Sequence, residues 1–271
     1  MKRKHAYRRF VAGILAILTV TGNALLPSTI RIPFTPAAIT ASAVTQSGTC
    51  RQGQNSYNYT YDTDTGALTI TSGTLWKRNS VLALPSGINR NSITSIVMKS
   101  GTSFPQDSNS MFSGMTGLTS FVAEDGVTVK TGGYGYCKMS SLFENCTSLT
   151  TVDLSGITNG DKVAYVDKMF HGCSALQSAD LSSLSGEEIG DGWDTFFGTV
   201  NPVSQTTDGC AALTSLTLSP SFIYNALGNL SDSLSSEFSQ MTAEEFVGDL
   251  LEGFPAADSL SQALLAQYYD Y

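Results

Sequence analysis

The side chains that could carry out acid–base chemistry are few in this sequence. Residues 1–43 have the pattern of an export segment, and beyond them His171 is the single histidine. A Ser-His-Asp or Cys-His mechanism would have to use His171 as its base. The sequence contains a repeat, and His171 occupies the position that Ser113 and Glu144 occupy in other copies of it. The variety of residues at this position predicts that His171 faces solvent. The sequence has no G-x-S-x-G, phosphate-binding Gly-Lys loop or H-E-x-x-H motif. We therefore predict that the protein is not an enzyme and has no catalytic residues.

The acidic residues offer other chemistry, but each case has a simpler structural explanation. Asp64-Thr65-Gly66 matches the aspartic-protease triplet, yet no second triplet supplies the paired carboxylate. Asp62 and Asp64 could bind calcium, but the rest of an EF-type ligand series is absent. We interpret both as parts of a hairpin turn. The acid pairs within residues 187–194 could attack a glycosidic bond, although nothing indicates the required separation. An unrecognised hydrolase is therefore the least favoured alternative.

The thiols could form disulfides or hold a metal. The five cysteines are Cys50, Cys137, Cys146, Cys173 and Cys210. The last three occupy the same place in the repeated phrase, so we interpret them as a column of small buried side chains. A Cys146–Cys173 bridge is the alternative, because export permits disulfides, and Cys50 and Cys137 remain possible partners. Because C-x-x-C spacing and supporting histidines are lacking, we predict no metal site and no cofactor.

A repeated phrase must position all of these residues. An aromatic lead-in occurs at 111–118, 142–149 and 169–176, and a shortened copy at 210–213. We number the last residue of each lead-in as position 0. Positions 0, 3 and 5 are then apolar in every copy, and residues 93–98 have the same apolar spacing without a lead-in. This L-x-x-L-x-L pattern is typical of leucine-rich repeats. We predict stacked coils, each with a short parallel strand and one helical turn, since a single unit cannot bury its own apolar side.

The phrase M-F-x-x-C-x-x-L-x-x-x-D-L-S at Met169–Ser182 resembles the BspA-like leucine-rich repeat family of bacterial surface proteins. Ser47-Gly48-Thr49-Cys50 is similar to the start of many such secreted proteins. The resemblance covers residues 47–220 and is most specific over 142–182. It implies a right-handed leucine-rich-repeat solenoid, export, and a binding or adhesion role. It brings no catalytic residues with it.

Four segments follow from composition and pattern. Residues 1–43 are predicted to be a signal peptide, with a basic start, an apolar run from Val11 to Leu18 and an Ala41-Ser42-Ala43 cleavage site; a membrane anchor is the alternative. Residues 44–80 are predicted to form a β-hairpin cap and 81–220 the solenoid. Residues 221–271 are predicted to be a linker and C-terminal helices, with a capping box at Thr242. A loop at 199–209 and an aromatic loop at 134–136 interrupt the coils; each is either a specificity element or a tolerated insertion.

The net charge of the chain disfavours some kinds of binding partner. Six of the 15 Lys and Arg and none of the 23 acids lie in residues 1–43, so the remainder carries a formal charge of −14. Nucleic acid and anionic membranes are therefore disfavoured as partners. We predict a secreted protein, either free in the extracellular medium or associated with the cell surface, that binds a protein or glycan ligand; a structural envelope component is the alternative.

The strand phrases are predicted to present a hydroxyl-rich face on the concave side of the stack, where solenoids usually bind. A solvated sheet surface is the plainer interpretation. The candidate binding residues on this face are Thr119, Ser120, Thr150, Thr151, Asp153, Gln177, Ser178, Asp180, Thr214, Ser215 and Thr217.

Overall fold

The computed structural model describes residues 44–185, 209–222, 242–250 and 257–269. These residues belong to one compact unit, Ala43–Tyr271. The predicted signal peptide, the acid pairs within 187–194 and residues 199–208 of the predicted insertion lie outside the described residues.

The unit begins with a three-stranded antiparallel sheet. Its strands are β1 (Thr45–Gln52), β2 (Asn55–Asp62) and β3 (Ala67–Thr74). Between β2 and β3, the Asp62 carboxylate accepts hydrogen bonds from the amides of Asp64 and Thr65 at 2.9 and 3.0 Å, and Gly66 has a φ of +76°. The predicted hairpin and its glycine turn are confirmed, and Asp62 acts as a turn cap. Residues 45–52, which the two-stranded hairpin prediction did not include as a strand, pair with the hairpin as β1.

The third strand of this sheet also begins the solenoid. β3 pairs in parallel with the next strand of a row that crosses the molecule in chain order. The row consists of β3, β6 (Ser95–Met98), β8 (Ser120–Ala123), β11 (Thr151–Asp153), β13 (Ser178–Leu181) and β14 (Ser215–Leu218). The hairpin is thus continuous with the coils and extends their sheet.

Shorter strands lie on the other sides of the coils. β7 (Thr102–Phe104) pairs with β9 (Thr128–Val129), and β10 (Cys137–Lys138) with β12 (Val163–Ala164), both in parallel. β4 (Lys77–Arg78) and β5 (Val81–Leu82) form a small antiparallel pair before the first full coil. The chain is therefore a β-solenoid built from parallel strands, as predicted at the level of architecture.

The apolar spacing identifies the interior correctly. Side chains at positions 0, 3 and 5 of all five phrases are buried, including Leu118, Leu149, Leu176 and Leu213 at 0–1% exposure. The aromatic lead-ins stack directly upon one another. The rings of Phe112 and Phe143 are 5.5 Å apart, and those of Phe143 and Phe170 are 5.7 Å apart and nearly parallel. Each coil thus supplies the apolar cover that its neighbour lacks.

The predicted helical turn in each coil is wrong. The lead-in is a chain of hydrogen-bonded turns, because residues at positions −8 and −4 adopt left-handed backbone conformations that an α-helix cannot contain. These residues are Ser110, Gly114, Ser141, Asn145, Lys168 and Gly172, with φ between +55° and +76°. Alternate amides then point to the next coil: Phe112 N–H donates to Leu142 O at 3.0 Å, and Gly114 N–H to Glu144 O at 2.7 Å.

The carbonyls of the first lead-in, 111–118, have no preceding lead-in whose amides could donate to them. An arginine side chain donates to these carbonyls instead. Arg90 Nη2 donates to Met111 O at 3.1 Å and to Ser113 O at 2.8 Å. The amide of Leu82 also donates to Met111 O, at 2.8 Å. Burial lowers the pKa of the Arg90 guanidinium below its usual value. Arg90 therefore caps the turn ladder at its N-terminal end.

Two helices with described bounds follow the coils. Helix α1 (Ala243–Leu250) opens with the predicted capping box: Thr242 N–H donates to Glu245 Oε2 at 2.8 Å, and Glu245 N–H to Thr242 Oγ1 at 3.2 Å. Helix α2 (Ala257–Tyr269) packs on α1 and contacts β14. Val247 and Leu264 are fully buried. Within the described ranges, none of the helices combines the length and apolarity needed to cross a bilayer.

Candidate functional site

The predicted binding residues lie on one face of the strand row. Their alignment follows from in-register parallel pairing, which places equivalent residues side by side. One line across the face contains Ser120, Thr151, Ser178 and Ser215; the next contains Val122, Asp153, Asp180 and Thr217. Because neighbouring strands are about 4.8 Å apart, the five coils from β6 to β14 present a face about 20 Å across. We call it the strand face.

The threonines at position 1 have a structural use. Thr119 Oγ1 donates to Thr94 O at 2.8 Å, Thr150 Oγ1 to Thr119 O at 2.8 Å, and Thr214 Oγ1 to Gln177 O at 3.2 Å. Each hydroxyl thus ties its coil to the preceding one. Gln177 lies in the same line and is exposed. The hydroxyls of Thr119, Thr150 and Thr214 therefore have their protons committed, and the lines at positions 2 and 4 carry the polar groups best placed for a ligand.

The two aspartates of the strand face lie on adjacent strands in direct register. Asp153 Oδ1 accepts hydrogen bonds from the amide and hydroxyl of Ser155, at 2.9 and 2.6 Å. Asp180 Oδ1 accepts from the amide of Ser182 at 3.0 Å. These bonds fix one oxygen of each carboxylate against the following turn. The pair gives the strand face a local negative charge that suits a cationic or hydrogen-bond-donating ligand group.

The predicted column of buried cysteines is confirmed, and its thiols form hydrogen bonds between coils. In each coil the thiol donates to the carbonyl of the phenylalanine one coil earlier: Cys146 to Phe112 at 3.2 Å and Cys173 to Phe143 at 3.1 Å. Cys210 makes the same contact at 3.4 Å. All five cysteines are free and buried, so the alternative Cys146–Cys173 bridge is absent. The thiols of Cys50 and Cys137 donate to Ala83 O and Pro105 O.

The buried thiols are poor nucleophiles. Burial raises the pKa of Cys146 to about 11 and that of Cys137 to about 12. Burial also raises the pKa of Cys173, with a further contribution from the neighbouring Cys146 and Cys210, and it raises that of Cys210. Because the thiolate is the reactive form, these groups are held in their inert state near neutral pH.

His171 lies at a coil edge and is only partly exposed. Its side chain is 27% accessible, and Nδ1 is 3.7 Å from Glu144 Oε1 of the preceding coil. The solvent-facing position predicted for it is therefore only half right. Glu144 and His171 both lie at position −5 of their coils, so the stacking of the coils brings the two side chains together. Among the described residues, no group of three or more His, Cys, Asp or Glu is placed to hold a metal ion.

A second polar and aromatic feature lies away from the strand face, at the β10–β12 pair. The loop before β10 carries Tyr134 and Tyr136, and Tyr165 follows β12 on the next coil. Sequence reasoning flagged the 134–136 loop but missed Tyr165. The 27-residue spacing of Leu149 and Leu176 would place Tyr165 opposite Lys138, and the structure pairs Lys138 with the adjacent Ala164. The repeat spacing was therefore an available signal that is accurate to one residue.

Comparison of the chain with protein-family models, with curated proteins and with solved structures gives no match.

Proposed function

We propose that this chain is a secreted, non-enzymatic leucine-rich repeat protein, similar to the BspA-like surface proteins, that binds a protein or glycan ligand on a host or microbial surface. The single observation that carries the proposal is the strand face. Because the strands pair in register, the line at position 2 is polar in all five coils, and the line at position 4 is polar from β11 to β14. Repeat proteins commonly use such extended faces for binding.

Three features support a binding role over a purely structural one. The lines at positions 2 and 4 mix hydroxyls with Asp153 and Asp180, which provides both donors and acceptors of hydrogen bonds. The face is held rigid by the hydroxyl bonds of position 1, so little entropy is lost when a ligand binds. The charge of −14 outside residues 1–43 favours partners with basic or neutral surfaces.

The test is a binding screen of the purified protein against extracellular matrix proteins and a glycan library. Asp153→Asn/Asp180→Asn removes the charge of the strand face, and Ser178→Arg blocks its centre. Asp125→Asn is the matched control, because Asp125 is an exposed acid on another side of the coil. We expect the double variant and Ser178→Arg each to weaken the captured ligand about tenfold or more, a loss of about 1.4 kcal/mol, with Asp125→Asn unchanged.

Two results would overturn the proposal. One is that none of the probes binds. The other is a bound ligand whose affinity is insensitive to both strand-face changes while the variants remain folded. Secretion is tested separately by determining the N-terminus of the exported protein, which we expect to be Val44.

A further inference from the structure

We propose that the tyrosine cluster at the β10–β12 pair is a binding site for a neutral pyranose sugar. The cluster consists of Tyr134, Tyr136 and Tyr165, and it adjoins a cavity lined by Tyr134, Gly135, Tyr136, Asp161, Lys162, Val163 and Ala164. It lies on a strand pair separate from the strand face and is independent of the function proposed for that face.

The aromatic rings are exposed to an unusual degree. Among the large apolar side chains in the described part of the chain, Tyr134 and Tyr165 stand out as exposed, at 74% and 38%. Exposed aromatic side chains that cluster mark binding surfaces more often than single ones do. Here the rings are arranged, since Tyr134 and Tyr136 stack at 6.0 Å and Tyr136 lies 5.4 Å from Tyr165.

The backbone holds the cluster at some cost. Tyr165 has a φ of +55°, a conformation that bulky residues rarely adopt and that often accompanies functional sites. Gly135 ends a 3-10 turn with a φ of +84°, and Gly132 has a φ of +54°. These glycines allow the loop to turn tightly and present Tyr134 outward.

A lysine fixes the inner rings. Lys138 Nζ lies 5.9 Å from the ring centroid of Tyr136 and 5.3 Å from that of Tyr165. Such cation–π contacts hold both rings against the coil. The ring of Tyr134 stays at the outer edge, where its face can accept a ligand.

The chemistry of the cavity selects a neutral, hydroxyl-bearing ring. Its volume of about 260 Å³ lies just below the range of drug-sized pockets, about 300–1,000 Å³, so one small ring fits. The C–H groups of a pyranose form an apolar, weakly positive patch that suits the negative face of an aromatic ring. Asp161 and Lys162 form an ion pair at 2.9 Å, so the rim offers a carboxylate and an ammonium to hydroxyls without a net charge.

A protein partner fits this patch less well. Stable protein interfaces bury about 800 Å² on each partner around an apolar centre, and two exposed tyrosines at the edge of a small cavity do not supply such a centre. A phosphate or carboxylate ligand would meet an Asp161–Lys162 pair that is already neutral. The neutral sugar is the occupant that uses both the rings and the ion pair.

The experiment is an NMR titration of the ¹⁵N-labelled protein with the methyl α- and β-pyranosides of glucose, galactose, mannose and N-acetylglucosamine. We expect at least one of these sugars to shift amides confined to residues 132–138 and 161–165. Tyr134→Ala should weaken that sugar about tenfold, whereas Tyr134→Phe keeps the ring and should bind within about threefold of the original protein. Because Tyr134 is exposed, the thermal midpoint of Tyr134→Ala should match that of the original protein.

Three outcomes would overturn the inference: no shifts with any pyranoside, shifts located elsewhere, or equal affinity for Tyr134→Ala and the original protein. The variant Asp153→Asn/Asp180→Asn separates the two sites, because it should leave pyranoside binding unchanged. Sugar binding can therefore fail while the strand face still captures its ligand, and the reverse result is equally recognisable.

Discussion

Replacing Arg90 with methionine tests whether one guanidinium caps the whole ladder of turns. Methionine keeps an unbranched stem of similar reach and removes both hydrogen bonds from Nη2. Met111 O keeps a partner, because Leu82 N–H also donates to it. In the described residues, the structure gives Ser113 O no donor besides Arg90. The substitution therefore leaves one carbonyl without a donor at the end of the stack.

The magnitude follows from opposing contributions. A hydrogen bond to a charged group is worth about 1.5–3 kcal/mol. Because Ser113 is half-buried, its carbonyl left without a donor costs toward the lower end of the about 1–3 kcal/mol that a fully buried carbonyl would. Against this, the guanidinium is partly desolvated, and within the described structure its Nη1 has no hydrogen-bond partner; removing it recovers part of that cost. We expect a net loss of about 2–3 kcal/mol in the free energy of unfolding. For a unit of this size the melting temperature should fall by about 4–12 °C.

The assay is urea and thermal unfolding followed by circular dichroism. Arg78→Met is the matched control, since Arg78 is an exposed arginine whose guanidinium lies 5.4 Å from the Trp76 ring; its loss should cost about 0.5–1 kcal/mol. Arg90→Lys should fall between, because a single ammonium lacks the fork that reaches two carbonyls. An Arg90→Met protein within about 0.5 kcal/mol of the original, or no less stable than Arg78→Met, would refute the capping role.

The remaining predictions concern the column, the ladder and the strand row. Burial raises the pKa of Cys146 in the folded state to about 11, whereas the thiol in the unfolded chain has a pKa of about 8.5. The contribution of this pKa difference to the free energy of unfolding is therefore fully present below about pH 8.5. Between about pH 8.5 and 11 that contribution should decline by about 1.4 kcal/mol per pH unit. Equal free energies of unfolding at pH 8 and pH 10.5 would contradict this prediction. Iodoacetamide at pH 8 should modify thiols only after unfolding, as mass spectrometry can show, and a labelled native protein would count against the column. Phe143→Ala should lower the free energy of unfolding in urea by about 3–5 kcal/mol, and Phe143→Leu by less, because leucine keeps part of the apolar volume. A loss below about 1 kcal/mol for Phe143→Ala would mean that the stack contributes little. Thr150→Val should cost about 0.5–1.5 kcal/mol through its lost hydroxyl bond, whereas Thr151→Val, at an exposed position, should be neutral, and the opposite order would exclude the hydroxyl tie.

Several features of the fold could be read directly from the chain. Burial at positions 0, 3 and 5 follows from apolar spacing alone, as Leu149, Val152 and Leu154 illustrate. The turn at Asp62 and the capping box at Thr242 were predictable because their partners lie within three residues. Local hydrogen bonding and side-chain alternation are properties of short segments, so a sequence expresses them without knowledge of the rest of the fold.

The candidate sites were only partly predictable for the same reason. Strand spacing brought Ser120 and Asp153 to one face, but it could not show that the Thr119 and Thr150 hydroxyls bond to the preceding coil. The 134–136 loop stood out by its aromatic and glycine content. Its partner Tyr165 belongs to another coil, and only the stacking of β10 on β12 brings the two together.

The sequence by itself determined which side chains are buried and that the units must stack. Tertiary structure decided what each lead-in becomes. Read alone, Leu142–Leu149 has the apolar spacing of a helical turn. In the stack, the amides of Phe143 and Asn145 donate to the carbonyls of Met169 and His171 on the next coil, at 2.9 and 2.7 Å. Those inter-coil bonds replace the bonds that a helix would make within itself. Since backbone groups that are buried must find partners, the neighbour that supplies those partners decides the conformation.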